Sequence, residues 1–459
     1  MYDVVIIGGG IGGLMTAYRL ATTTKNIKIA VIEQGKELTQ RVCPMTIDHG
    51  ACKHCPTCAI THGISGAGAF SDGKFNMGTA YGGTLGEELG EELTMKYIDM
   101  LDEVLCQYAT DYPSIYVSDT QLKLECLQNN LTLLDMNVRH LGTDKNYDTM
   151  LALYNDLKDT YGVEFLTGTI CKDLYRSPTG AFMLRVLDST SEHNLQASKV
   201  VVATGRSGAD FVKKVCSEFN VEVEARAVDI GVRVEMPDLI WKKFSDKIYE
   251  PKIHYRTKTF GDSCRMFCFN QGGLVSAENN HGIITANGHS YADKSKKTKN
   301  CNFAVLSSTR FTEPFNQPTE YAESIARMAN MIGAGNVIVQ RLGDLKHGRR
   351  TTQHRLDQGT VTPTLKATPG DLSLVLPHRV LTNIIETLEA LDKVAPGTAN
   401  PDTLLYGVES KYYSLKPKHN QNFELVPGLY LIGDGSGICR GLSQSGAMGL
   451  YVADCIINK

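Results

Sequence analysis

No run of apolar residues in the 459-residue sequence approaches the roughly 18–20 needed to cross a bilayer, so a membrane-spanning helix is not expected. An export signal is also missing. Met1-Tyr2-Asp3 leads straight into an apolar strand, with no basic segment and no small-residue cleavage site, which predicts a cytoplasmic protein with no membrane partner. Charge of one sign is lacking too: 47 Lys and Arg against 50 Asp and Glu leave a net charge of -3. That balance gives no electrostatic case for nucleic acid or anionic lipid. One local exception, Lys346-His347-Gly348-Arg349-Arg350, could meet an anionic substrate or be a solvated surface loop. What is plentiful is ordinary for a globular chain, 42% apolar and 21% charged, enough for two or three domains with real cores. In a chain without an export signal, thirteen cysteines are expected to stay reduced, bind metal or do redox chemistry rather than pair as disulfides.

The N-terminus carries the clearest signal. Tyr2-Asp3-Val4-Val5-Ile6-Ile7 is a β-branched run suited to a parallel strand buried on both faces. It runs into Gly8-Gly9-Gly10-Ile11-Gly12-Gly13 and then a stretch of helical composition. Gly8, Gly10 and Gly13 hold the G-x-G-x-x-G positions: one for the tight turn, one for close backbone approach to a pyrophosphate, one for helix–strand packing. A second strand, Ile27 to Ile32, ends in Glu33-Gln34. Glu33 lies twenty residues past Gly13, where an acid accepts bonds from adenosine ribose hydroxyls. Ile11, Gly12 and Gln34 belong to the same expected contact set.

Two further markers lie downstream. Val200-Val201-Val202-Ala203-Thr204-Gly205 reads as a strand and turn. Gly428-Leu429-Tyr430-Leu431-Ile432 reads as a strand leading into Gly433-Asp434-Gly435-Ser436-Gly437, with Gly441 ahead of a helix-like stretch. These resemble the A-T-G and G-D turns of FAD-binding oxidoreductases, and that resemblance implies that Asp434 binds the ribityl chain. The following helix N-terminus would face the flavin and could stabilise an anion there. Between the two anchors, 144–161 reads as helix, Val163-Glu164-Phe165-Leu166 as strand, and Ile170 to Lys199 as an antiparallel meander turning at Ser177-Pro178-Thr179-Gly180. The glutathione-reductase-like FAD fold inserts such a meander there, with backbone near Thr169-Ile170 reaching the adenine.

The most distinctive segment begins at Arg41-Val42-Cys43-Pro44. Cys43, Cys52, Cys55 and Cys58 have the spacing C-x8-C-x2-C-x2-C, which lets thiolates converge on an iron–sulfur (4Fe–4S) cluster or a tetrahedral zinc. Unligated thiols in a tight loop are the third reading. His49, His54 and His62 are possible substitute ligands. The loop Gly63-Ile64-Ser65-Gly66-Ala67-Gly68-Ala69-Phe70-Ser71-Asp72-Gly73-Lys74 follows. In it the chain resembles the uncharacterised FAD-dependent dehydrogenases, distantly akin to aminoacetone-oxidase-like flavoproteins, with Ser65 replacing one glycine of their pattern. The resemblance covers most of the chain, including Asp229 to Glu235, Asn287-Gly288-His289-Ser290 and Tyr406 to Lys411. It departs at Cys268-Phe269-Asn270-Gln271-Gly272-Gly273, where relatives carry a second cysteine. It implies FAD and a redox reaction but no substrate. Gly66, Ala67 and Gly68 would bring backbone N–H groups to the cofactor, with Ser71, Asp72 and Lys74 near the flavin ring.

The expected fold class is α/β, a Rossmann-like FAD-binding domain of the glutathione-reductase type with an inserted mixed α+β substrate domain lying over the flavin. The expected segments are 1–81, 141–208 and 405–459 for the FAD domain, 82–140 for a helical insertion and 209–404 for the substrate domain. Ile332-Gly333-Ala334-Gly335-Asn336 lacks the third glycine of a second nucleotide motif, so a separate NAD(P)H domain is not expected, although NAD(P)H could act as a transient donor. Nor does a cysteine pair follow the first helix as in disulfide reductases. Candidates for proton transfer are His289, Lys74, Arg206, Lys411 and Tyr413. Arg233 and Glu235 share a strand face and are expected to form a salt bridge with each other. The function expected is hydride transfer between noncovalent FAD and a small organic substrate. Two rivals are an iron–sulfur and FAD protein serving a redox protein partner, and a flavin-dependent RNA-modifying enzyme. The slightly acidic charge opposes the latter.

Overall fold

The computed structural model describes all residues except 45–54, 72, 136, 225–226, 249, 281, 291–294, 296, 313, 316 and 412–414, and except the side chains of 279 and 280. The chain forms two compact units, one of Met1–Tyr116, Asn137–Glu224 and Ser414–Lys459, the other of Val117–Met136 and Ala225–Tyr413.

In the first unit the β-branched run at the N-terminus becomes the strand Tyr2–Ile7. It pairs in parallel with Ile29–Glu33 on one side and Glu192–Val202 on the other. Glu164–Thr167 extends the sheet beyond Ile29–Glu33, and Leu429–Leu431 extends it beyond Glu192–Val202, both in parallel. The meander is present as antiparallel strands Ile170–Arg176, Phe182–Leu187 and Glu192–Val202. Alternate residues of Tyr2–Ile7 enter two different cores. Val4 and Ile6 pack with Leu14, Met15 and Leu20 of the helix Ile11–Thr23 and with the C-terminal helix Leu442–Ile457. Val5 and Ile7 pack with Val200, Val202, Phe182 and Val215. Leu14, Met15 and Leu20 are fully buried, each contributing about 1.5–3 kcal/mol of burial free energy. The helices Ile11–Thr23 and Leu442–Ile457 meet at glycines: a Cβ on Gly449 would lie 2.3 Å from the Gly12 carbonyl oxygen. Thr16 Oγ1 donates to the same Gly12 oxygen at 2.9 Å.

The second unit is built on a largely antiparallel sheet with Val228–Pro237 near its centre, flanked by Leu404–Lys411 and Asn300–Thr309. Its far edge is Leu131–Leu133, paired with Ile253–Arg256, so the stretch 82–140 also contributes sheet and not helix alone. Arg233 and Glu235 do not pair with each other. Residues two apart on a strand stand roughly 7 Å apart, whereas neighbouring strands bring side chains to about 5 Å. Arg233 accordingly turns to Glu409, 3.1 Å away, and donates to Cys268 O and Asn287 Oδ1. Glu235 accepts from Tyr406, Thr364 and Asn300.

Candidate functional site

Strands that run parallel end together, so the turns after Tyr2–Ile7, Ile29–Glu33, Glu192–Val202 and Leu429–Leu431 gather along one edge of the first unit's sheet. This is the edge at which open α/β sheets bind ligands. Each turn is one of the segments singled out in the sequence: Gly8–Gly10, Glu33–Gly35, Ala203–Gly205 and Gly433–Gly435.

The first turn requires its glycines. Gly8 has φ +111°, and a Cβ there would stand 2.4 Å from Ala203 O; one on Gly13 would stand 2.1 Å from Gly8 O. Gly10 differs, since a Cβ there meets nothing within 4 Å. It sits directly before the helix Ile11–Thr23 with no side-chain cap, leaving open space against the N–H groups and the positive dipole end of a helix.

Glu33 is 7% exposed and organises the loops around that space. One oxygen accepts from Gly9 N at 2.9 Å, the other from Gly35 N and Gly63 N, each at 2.9 Å. The glycine-rich loop is thereby drawn onto the first turn, where Ser65 N donates to Gly9 O at 2.7 Å. A Cβ on Gly66 would lie 3.1 Å from Gly10 Cα. Arg41 holds the loop from beneath, donating to Ala59 O, Ile60 O and Ile64 O. Burial pushes the pKa of its guanidinium down to about 10, partly offset by the charge of Glu33.

On the other side of the sheet centre, the turn of Thr204 and Gly205 meets the G-D turn. A Cβ on Gly435 would lie 3.1 Å from Gly205 O, and Arg206 Nε donates to Asp434 Oδ2 at 2.9 Å. Ser445 Oγ reaches the other Asp434 oxygen at 3.4 Å. Gly441 precedes the helix Leu442–Ile457, again without a side-chain cap. Three hydroxyl oxygens of these loops, on Ser65, Thr204 and Ser443, are buried without a hydrogen-bond partner. Left unpaired, each costs about 1–3 kcal/mol. Two uncapped helix starts, glycine turns open on one side and unpaired buried hydroxyls together fit a dinucleotide.

Sequence reasoning missed a further support. Gln444 accepts from Leu85 N and donates to Tyr81 O, while Arg440 N donates to Gly82 O, so the stretch 81–85 is clamped to the G-D turn. The only sequence signal was the glycine pair Gly82-Gly83, whose φ values are +86° and +131°.

The remaining predicted residues are dispersed. Gln34 is half-buried beside Glu33, Ile11 is buried at the start of its helix, and Ile170 opens the strand Ile170–Arg176. Ala67 is exposed, Ser71 Oγ donates to Gly68 O at 2.8 Å, and Asp72 lies outside the described residues. Lys74 opens the short strand Lys74–Asn76, opposite His140. In the second unit His289 ends the strand Ile283–His289 and is exposed, and Lys411 Nζ lies 3.3 Å from Glu409 Oε1. Tyr413 lies outside the described residues. Of the four-cysteine run, Cys52 is also outside them, as are His49 and His54. Cys55 is exposed, and Cys43 and Cys58 are half-buried. Among the described residues no group of three or more His, Cys, Asp or Glu is placed to hold a metal ion. The iron–sulfur and zinc expectations thus gain no support.

Residues 6–65 match the NAD(P)-binding Rossmann-like domain family, and residues 227–412 match the family of FAD-dependent proteins, C-terminal domain-like. A Rossmann-like nucleotide-binding domain and a domain of the FAD-dependent protein type thus match separate parts of the chain. Among curated proteins, an uncharacterized protein of Clostridium beijerinckii is 26% identical over 478 residues, 99% of this chain and 80% of that one. Pyridoxine 4-oxidase from Mesorbium loti aligns over 100% of both chains with 12% identity and a TM-score of 0.47. The E. coli quinol fumarate reductase FrdA aligns over 100% of this chain and 70% of its own, with 14% identity and a TM-score of 0.43. At these levels the two structures are likenesses of fold only. No helix among the described residues is long and apolar enough to cross a membrane.

Proposed function

We propose that this flavoprotein binds FAD noncovalently along the glycine-lined edge of its first unit and transfers a hydride to or from a small organic substrate of the cytosol. The observation that carries this reading is the convergence of four strand-end turns, Gly8–Gly10, Glu33–Gly35, Ala203–Gly205 and Gly433–Gly435, on one sheet edge. When bound, FAD supplies a two-electron carrier, and the protein supplies position and electrostatics.

In this reading Glu33, fixed by three backbone donors, keeps lone pairs for the ribose hydroxyls of the adenosine half. The N–H groups at Ile11, Gly12 and Gly13 carry the pyrophosphate charge, helped by the helix dipole. Thr204, Ser65 and Ser443 offer the buried hydroxyls that lack partners. Asp434 accepts from the ribityl hydroxyls and is held in place by Arg206. The positive end of the helix Leu442–Ile457 favours negative charge at the site. Gly66 and Gly68 let backbone approach where a side chain would not fit. Arg206 is thereby a positioning residue. His289, Lys74, Lys411 and Tyr413 remain the candidates for proton transfer.

NADH or NADPH would act as a visiting donor, because no second nucleotide motif is present in the sequence. Anaerobic mixing of the FAD-loaded protein with each nicotinamide tests this. Bleaching of the flavin band by one of them supports a hydride-transferring enzyme. Bleaching by dithionite but by neither nicotinamide would contradict that choice of donor.

A further inference from the structure

The basic run that stood out in the sequence has a buried acid at its root. Asp344 is 1% exposed and gathers the guanidiniums of three arginines. Arg349 Nε donates to Asp344 Oδ1 at 2.8 Å and Arg355 Nη1 donates to the same oxygen at 3.2 Å. Arg341 Nη1 stands 3.8 Å from Oδ2, and Thr351 Oγ1 donates to that oxygen at 2.9 Å. The backbone is fixed as firmly as the side chains. Arg349 N donates to Asp344 O, Gln340 Nε2 donates to Arg349 O, and Thr352 caps the turn that carries Arg355.

One carboxylate needs one guanidinium for neutrality, and three are present. Arg341 has a second acid of its own, Asp402. Among the described residues Arg349 and Arg355 have only Asp344 as an acid between them, and each spends one of its five donors there. Their side chains are 49% and 35% exposed. Bound to one oxygen, the two donating nitrogens stand at most about 6 Å apart, the sum of the two bond lengths. Arg350 is exposed, with no hydrogen bond or ion pair among the described residues. From 341 to 357 the chain carries five Lys and Arg (341, 346, 349, 350, 355) against two acids (344, 357); with Asp402 beside Arg341 and Glu389 beside Lys346 counted in, one positive charge is left over, on a chain whose net charge is -3.

We propose that Arg349, Arg350 and Arg355 form a binding site on the second unit for the phosphoryl group of a small molecule. Guanidinium forks match the oxygens of a phosphoryl dianion, and two or three of them exceed what a monocarboxylate can use. Asp344 preorganises Arg349 and Arg355, so little of their side-chain entropy is lost on binding. Binding alone, without any flavin chemistry, reads the site.

The test is calorimetric titration of the FAD-loaded full chain with pyrophosphate and with inorganic phosphate at low salt, the flavin absorbance being followed in parallel. Saturable binding is expected with the flavin band unchanged. It should weaken at least tenfold in R350Q and in R355Q. Arg350 holds no side-chain bond among the described residues, so R350Q tests the site without disturbing Asp344. K123Q removes one positive charge elsewhere on the same unit, from the exposed pair with Asp135, and should leave binding unchanged. The proposal is overturned by the absence of saturable heat, by equal affinity in R350Q, by equal weakening in K123Q, or by loss of flavin during the titration. Binding of an RNA oligonucleotide without any response to pyrophosphate would overturn it as well.

Discussion

Arg206 Nε donates to Asp434 Oδ2 at 2.9 Å, joining the turn after the strand Glu192–Val202 to the turn after Leu429–Leu431. The arginine is 67% exposed and the aspartate 22%, so the ion pair is largely solvated and contributes about 0–1 kcal/mol. R206Q should therefore lower stability by less than about 1 kcal/mol in urea unfolding. D434A removes the acceptor itself and should weaken FAD about tenfold or more, roughly one hydrogen bond to a charged group. A flavin titration of both variants checks the order. An R206Q loss equal to that of D434A would mean that the guanidinium itself touches the cofactor.

The contact between Gly12 and Gly449 sets two opposing effects against each other. Alanine in place of a helical glycine normally gains about 1 kcal/mol. At Gly449 the added Cβ would stand 2.3 Å from a backbone oxygen that cannot swing aside, and such overpacking costs about 1–3 kcal/mol or more. G449A should be destabilised, and G449V more so. Thermal unfolding of the two variants gives the sign.

Removing Glu33 should do more harm than removing an exposed acid. E33A leaves the N–H groups of Gly9, Gly35 and Gly63 without their shared acceptor. Each orphaned donor costs about 1–3 kcal/mol, less whatever water can repair. FAD retention during gel filtration should fall sharply in E33A and partly in E33Q, which keeps one oxygen.

Asp344 gives a pH dependence. Burial alone would raise its pKa, but the bonds from Arg349 and Thr351, with the charges of Arg355 and Arg341, hold it below the ordinary carboxylate value. A depressed folded-state pKa contributes stability that is present above the unfolded pKa of about 3.9 and is lost as pH falls through the folded value. The stability difference between the native chain and D344N should be about 1–3 kcal/mol at neutral pH and should shrink below about pH 4. Denaturant unfolding at several pH values measures the gap. A gap that widens on acidification would contradict this account.

Local patterns made the first unit legible. A β-branched run, glycines at fixed offsets and an acid ending the second strand identify themselves within about 35 residues. The meander was visible because alternation breaks at Ser177-Pro178-Thr179-Gly180, where the strands Ile170–Arg176 and Phe182–Leu187 do part. Long-range pairings left no such trace. Gln444 meets Leu85 across 359 residues, and Arg233 finds Glu409 rather than its strand neighbour Glu235. Asp344 stood in plain view five residues before Arg349, yet only burial shows that it collects the arginines around it.

The most direct test of the central claim is the flavin content of the purified chain, read by absorbance after denaturation and precipitation of the protein. The account predicts close to one FAD per chain in the supernatant, released without proteolysis and much reduced in E33A. A colourless protein that takes up no FAD when the cofactor is added back would contradict it.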